Sequence, residues 1–362
     1  MRLALKKAIL NVKPYVPGKP INEVKRELGL KDVIKLASNE SPYPPSPKVL
    51  KTIQEALPEL NRYPDGNCYY LRRKLAENLG VDPRQLLFGN GSDEIIVLAV
   101  RGFVNEGDEV VVAEPSFLIY EIASQIAGAN IKAVPLKDFY YDLPQMKEAV
   151  TKKTKLIFLG NPDNPSGKYF TQSQIEQFLE GIPPSVLVLI DEAYYEYVQA
   201  DDYVNSLNLL KKYKNILITR TFSKMYGLAG LRIGYGVGNQ EMINYLDRLR
   251  EPFNVNSLAQ AAALACLEDK RYYAELLKKI NEGRKFLYEN LKELGLSYVE
   301  SFTNFILIKL DKPGASLAAQ NLLKKGIIVR DMSAWGLKNY LRITIGTDVE
   351  NKKLIKALEE IV

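Results

Sequence analysis

Thr219-Arg-Thr-Phe-Ser-Lys-Met-Tyr-Gly-Leu-Ala-Gly-Leu-Arg-Ile-Gly-Tyr235 joins two apolar β-rich runs through a glycine-containing turn that carries a single lysine. Upstream lies Ile216-Leu-Ile-Thr219, and downstream Ile233-Gly-Tyr-Gly-Val237. Lys224 therefore follows a strand in apolar surroundings. Desolvation, and a nearby cation such as Arg232, are expected to lower its pKa toward that of a nucleophilic amine. Ser223 and Arg232 supply a hydroxyl and a guanidinium of the kind that grips a phosphate. A Ser-Lys pair alone means little; its setting gives it weight.

Working outward, the same kind of apolar run recurs at Glu109-Val-Val-Val-Ala113, Lys155-Leu-Ile-Phe-Leu159 and Val186-Leu-Val-Leu-Ile190, separated by helical segments. Strands apolar on both faces are strands covered by helices on both faces, which predicts an α/β fold with a mostly parallel sheet. Asn11 to Pro20 and Asn39 to Pro47 are proline-rich and read as irregular arms flanking a short helix, Ile21 to Leu28. After Glu241 a helical pattern runs with little punctuation through Cys266 toward Leu294. The tail reads as strand (Phe305 to Leu310), helix (Leu317 to Lys325), strand (Ile327 to Arg330), strand (Tyr340 to Ile345) and closing helix (Asn351 to Ile361), a smaller α+β unit. The expected division is 1–47 as an N-terminal arm joined to part of the small domain, 48–265 as the large domain, and 266–362 as the small domain.

A chain of 362 residues, 46% apolar and 25% charged, is too long for one small core. Its net charge of +6 arises from 49 basic and 43 acidic residues spread throughout, without the basic stripe of nucleic-acid binders. Cys68 and Cys266 have neither metal spacing nor the number for a disulfide framework, so a cytoplasmic setting is expected. Neither a signal-peptide pattern nor an apolar run of membrane-spanning length is present, and no membrane role is expected. The sequence contains no histidine. That removes Ser-His-Asp and Cys-His catalysis and histidine-ligated zinc, leaving lysine, tyrosine, carboxylates or a cofactor; no metal is expected.

Three further segments fall at predicted strand ends, where open α/β sheets bind ligands. Phe88-Gly-Asn-Gly-Ser-Asp-Glu94 precedes the helical run Ile95 to Val104, an arrangement that can grip an anion or simply turn and cap a helix. Gly160-Asn-Pro-Asp-Asn-Pro-Ser-Gly167 can hold the Asn164 amide rigidly, or serve as a tight connection. In Ile190-Asp-Glu-Ala-Tyr194 a buried strand runs into Asp191, which needs a positive partner. A protonated pyridine nitrogen is one such partner. A magnesium ion is another, but that reading requires a Gly-x-x-x-x-Gly-Lys-Ser/Thr loop that the sequence lacks.

Together these motifs resemble the fold-type I pyridoxal-phosphate enzymes of the aspartate aminotransferase superfamily over nearly the whole chain. Adding Arg62-Tyr-Pro-Asp-Gly66 and Lys35-Leu-Ala-Ser-Asn-Glu-Ser-Pro-Tyr43, the chain is most similar to the histidinol-phosphate aminotransferases. The resemblance implies a large domain with a seven-stranded-type sheet, a smaller α+β domain, and pyridoxal 5′-phosphate as cofactor. It implies that Lys224 holds the cofactor covalently and later shuttles a proton, that Asp191 keeps the pyridine nitrogen protonated, and that Asn164 and Tyr194 bond the ring 3-oxygen. Gly91, Ser92, Asp93, Ser223 and Arg232 would cradle the phosphate, with Tyr63 reaching in from the neighbouring subunit of a homodimer. Phe117 would stack on the ring where relatives often carry tyrosine. Arg342 would bind the substrate carboxylate, while Tyr15, Asn39 and Arg330 would line the substrate end.

The implied reaction is ping-pong exchange of an amino group between glutamate and histidinol phosphate, with 2-oxoglutarate and imidazole acetol phosphate as the keto partners. Guanidinium forks bind carboxylate and phosphate alike, so Arg330 and Arg342 can serve both substrates; a surface salt bridge is the plainer alternative for Arg330. Aromatic-amino-acid transamination and threonine-phosphate decarboxylation on the same scaffold stay open at this point.

Overall fold

Val110 and Val112 turn to one face of their strand while Val111 and Ala113 turn to the other, and all four are buried. That two-sided burial repeats across a seven-stranded sheet in the computed structural model, which describes residues 5–362. In chain order the strands are β1 (Ile34–Lys35), β2 (Leu86–Gly89), β3 (Glu109–Glu114), β4 (Asn130–Pro135), β5 (Thr154–Gly160), β6 (Leu187–Asp191), β7 (Ile216–Thr221), β8 (Gly234–Gly238), β9 (Tyr298–Val299), β10 (Phe305–Lys309), β11 (Ile327–Ile328), β12 (Arg330–Asp331) and β13 (Tyr340–Thr344). The large sheet has the order β2-β8-β7-β6-β5-β3-β4, with β8 antiparallel to both neighbours and the rest parallel. Helices Ser92–Phe103 and Gln240–Asp247 pack with Val110, Phe158 and Leu189 on one face. Ile157, Val188 and Ile218 meet Ser257–Glu268 and Tyr69–Leu79 on the other.

A second sheet, β12-β13-β10-β9, is antiparallel, and β1 pairs in parallel with β11. Through that pair and the Lys353–Asp32 ion pair at 2.7 Å, the N-terminal segment is tied to the C-terminal part of the chain.

Three expectations need correction. The stretch after Glu241 is not one continuous helix but three, Gln240–Asp247, Ser257–Glu268 and Lys270–Glu293. Pro252 has no N–H to donate, Phe253 adopts φ 55°, and the Asn256 side chain caps the next helix by accepting from the Ala259 N–H. The run Ile327 to Arg330 is two short strands in different sheets, with Val329 between them. β2 and β4 were missed as strands. The first is only four residues long, and the second, at the sheet edge, is mostly exposed and lacks a continuous apolar run.

Candidate active site

The sheet delivers its chemistry at one edge. β2 ends at Gly89 before Asn90-Gly91, β5 ends at Gly160, β6 ends on Asp191 and β7 ends just ahead of Lys224. Around these ends lies a cavity of about 280 Å³. Its wall includes Lys224, half-buried, whose Nζ donates to the Ser38 carbonyl at 3.4 Å and lies 5.6 Å from the Tyr194 ring centre.

One end of the cavity suits an anion. Gly91, at φ 78° and, being glycine, supplying no side-chain cap, is the N-cap residue of helix Ser92–Phe103. Its first N–H groups and dipole therefore face the cavity edge where Ser92 and Asp93 line the wall. Arg232 completes this end, with Nη1 donating to Ser223 Oγ at 3.3 Å and Nη2 pairing with Asp93 at 3.3 Å. Glycine is required beside it. A Cβ on Gly91 would lie 2.6 Å from Arg232 Nη2, and one on Gly234 would lie 2.5 Å from the Ser92 nitrogen.

The same cavity holds a buried carboxyl. Asp191 is 5% exposed, and no ion pair reaches it among the described residues. Its oxygens accept from the Tyr120 hydroxyl at 2.8 Å and the Thr219 hydroxyl at 3.0 Å. Burial pushes its pKa up to about 6, and those two hydrogen bonds oppose the rise. A buried carboxyl with only neutral donors has room for one positively charged partner. The groups gathered in this one cavity fit a pyridinium ring with a phosphate tail: an anion cradle, a buried carboxyl and a lysine. Phe117 lines the wall, set edge-on to Tyr120 at 5.5 Å, and Tyr120 lies flat on Phe158 at 4.6 Å. Tyr120 thus supports an aromatic face and the carboxyl together.

The rest of the wall comes from distant sequence. Asn39 is buried with φ 54°; its Nδ2 donates to the Tyr194 hydroxyl at 2.9 Å, and its own N–H bonds Thr344 Oγ1 at 2.9 Å. Arg342 donates Nη1 to Asn164 Oδ1 at 2.5 Å and Nη2 to the Ala37 carbonyl at 3.0 Å, while its enclosed Nε has no hydrogen-bond partner among the described residues. The loop bearing Asn164 is braced by Asp163, whose carboxyl accepts from the Ser166 N–H and from Tyr141 at 3.0 Å. Burial raises the Asp163 pKa to about 6.

Of the residues singled out from sequence, Tyr15, Asn39, Ser92, Asp93, Phe117, Asn164, Asp191, Tyr194, Ser223, Lys224, Arg232 and Arg342 line this one cavity. Gly91 sits behind the wall. Arg330 also stands just behind it, 5.9 Å from the Tyr15 ring centre and 4.8 Å from that of Trp335, with Nη2 donating to the Val16 carbonyl at 2.8 Å. That arrangement replaces the surface salt bridge considered for Arg330. Tyr63 does not join the cavity of its own chain; it is 83% exposed and stacks on Phe253 at 4.8 Å. Sequence reasoning missed Tyr120, Thr219 and Trp335. A signal existed for the first, because Tyr120 follows Phe117 by three residues on a helix and so shares its face.

The model of the family described as aminotransferase class I and II matches residues 31–358. The histidinol-phosphate aminotransferase of Moorella thermoacetica is 49% identical over 358 residues, 99% of this chain and 92% of that protein. The histidinol-phosphate aminotransferase 2 of Carboxydothermus hydrogenoformans is 45% identical over 359 residues, 99% of each chain. Among solved structures, the histidinol-phosphate aminotransferase of Sinorhizobium meliloti in complex with pyridoxal-5′-phosphate superposes with a TM-score of 0.91 at 31% identity, covering 99% of this chain and 97% of that one.

Proposed function

Because this chain belongs to the class I and II aminotransferases, we propose that it exchanges an amino group between glutamate and histidinol phosphate, a step of histidine biosynthesis. The near full-length similarity to relatives bearing that activity's name carries this reading. The cofactor is pyridoxal 5′-phosphate. When bound, it supplies an electron sink that acidifies the Cα–H of the substrate amine.

The chain's own residues do the rest. Lys224 Nζ would hold the cofactor covalently at rest and, once freed by the substrate amine, would carry the proton from the substrate Cα to the cofactor C4′. The Asp191 carboxylate, steadied by Tyr120 and Thr219, keeps the ring nitrogen protonated. Gly91, Ser92, Asp93, Ser223 and Arg232 bind the phosphate; Asn164 and Tyr194 address the ring oxygen; Phe117 covers a ring face. Arg342 binds the substrate's carboxylate or phosphate, helped by Arg330, Tyr15 and Asn39.

Three further points belong to the same reading. The chain divides into an arm (1–47), a large domain (48–265) and a small domain (266–362). Two copies form a homodimer in which Tyr63, exposed and outside its own cavity, completes the neighbouring site. The protein works in the cytoplasm, in keeping with its two buried free thiols; among the described residues no helix is long and apolar enough to cross a membrane.

The test is a half-reaction assay following loss of the resting cofactor absorbance with histidinol phosphate, glutamate, phenylalanine or threonine phosphate. Conversion by both histidinol phosphate and glutamate is expected. Conversion by phenylalanine and glutamate alone, or carbon dioxide release from threonine phosphate, would overturn the assignment.

A further inference from the structure

We infer that Trp335 is the specificity-determining residue for the side-chain compartment of the site, selecting substrates that bring a planar ring. The inference rests on the amino-group exchange proposed above. Trp335 is the only tryptophan in the chain. It is 6% exposed and lines the same cavity wall as Tyr15, Phe117 and Arg342.

Its position is built rather than incidental. Trp335 closes the turn Ser333–Trp335, whose first residue is held by Asp331: the carboxylate accepts from the Ser333 N–H at 2.8 Å and the Ser333 hydroxyl at 2.6 Å. The indole N–H then donates to the Ser116 carbonyl at 3.1 Å, far away in sequence. Ser116 immediately precedes Phe117, and its hydroxyl pairs with Tyr141 at 3.1 Å, the same tyrosine that braces Asp163. The indole is therefore anchored to the network that holds the aromatic face and the Asn164 loop.

Two guanidiniums approach that indole, Arg330 at 4.8 Å and Arg342 at 5.9 Å from the ring centre. They depend on it unequally. Arg342 keeps its hydrogen bonds to Asn164 and Ala37 without the indole, whereas Arg330 has, among the described residues, one hydrogen bond, to Val16, and otherwise lies against Tyr15 and Trp335. A substrate ring entering between the anion-binding groups meets an aromatic surface whose orientation is fixed, and ring–ring packing prefers such defined geometry. Glutamate brings no ring, and Arg342 can grip its α-carboxylate without the indole.

The experiment compares the holoenzyme with Trp335→Ala and Trp335→Phe, measuring kcat and KM separately for histidinol phosphate and for glutamate. Trp335→Ala should lower kcat/KM for histidinol phosphate roughly tenfold or more, mainly through KM, while glutamate changes by less than about threefold. Trp335→Phe, which keeps a ring and loses the N–H, should recover most of the histidinol phosphate KM. In the unaltered enzyme, the emission of the sole tryptophan should change on adding histidinol phosphate and not on adding glutamate. Equal losses for both substrates, or no loss for either, would overturn the proposal. If histidinol phosphate is not a substrate but phenylalanine is, the functional reading fails on its own. The ratio of phenylalanine to glutamate then decides the role of Trp335 by the same criterion.

Discussion

Replacing Tyr120 by phenylalanine removes one oxygen from the molecule and leaves an aromatic ring of the same shape on Phe158, where the two rings lie 4.6 Å apart and nearly parallel. Asp191 then keeps the Thr219 hydroxyl and the Ala193 N–H as donors. A hydrogen bond to a charged group contributes about 1.5–3 kcal/mol, and one pKa unit corresponds to about 1.4 kcal/mol, so losing it raises the carboxyl by roughly 1–2 units. Starting from about 6, the carboxyl of the cofactor-free variant moves to roughly 7–8. At pH 7 the ionised fraction falls from about nine-tenths to between a half and a tenth, which weakens cofactor binding by roughly 2- to 10-fold. The deficit closes at pH 9, where both proteins carry a carboxylate. Titrating the cofactor-free proteins with pyridoxal phosphate from pH 6 to 9 measures this directly. A variant whose affinity tracks the unaltered protein at every pH would show that the Tyr120 hydroxyl does not hold the Asp191 charge.

Lys224→Ala should abolish the borohydride-trapped adduct on the chain, seen by mass spectrometry, and cut turnover by on the order of 10²–10⁴; an adduct surviving elsewhere on the protein would refute the assignment. Arg342→Lys keeps the charge but loses the fork, costing about 2 kcal/mol and raising the glutamate KM roughly 30-fold, with the fold unchanged by circular dichroism. Glu196 bears on pH: burial pushes its carboxyl up to about 8, and its enclosed Oε2 has no partner among the described residues. A carboxyl whose folded pKa lies above its unfolded value binds more protons when folded, so its contribution falls as pH rises toward 8. Glu196→Gln should therefore raise the melting temperature at pH 9 more than at pH 5; a uniform shift would exclude titration of this group.

The interior of the large sheet was readable because β3, β5, β6 and β7 are apolar on both faces, a pattern that little else produces. β4 escaped because an edge strand needs no such run, and its six residues mix polar and apolar types with only Val134 buried. The break near Pro252 is a single proline between segments of helical composition on either side, a weak signal in the sequence. At the site, the proposed phosphate cradle and Asp191 sit at strand ends close to their motifs, so their chemistry was local in the sequence. Trp335 and Thr219 were not legible in that way. Thr219 is one hydroxyl among strand residues, and Trp335 reaches Ser116 only through the packing of elements more than two hundred residues apart.

The way this pocket is distributed along the chain also sets an order of assembly during synthesis. Gly91, Asp191, Lys224 and Arg232 all belong to the part that ends with β8, whereas Arg330 and Arg342 lie on strands near the C-terminus. A chain emerging from the ribosome presents the groups proposed to face the cofactor before the arginines proposed to grip the substrate exist. The early segments Tyr15 and Asn39 wait longest, because Arg330 and Thr344 are among the last partners made. Truncation from the C-terminus is thus expected to remove substrate recognition first and cofactor recognition last.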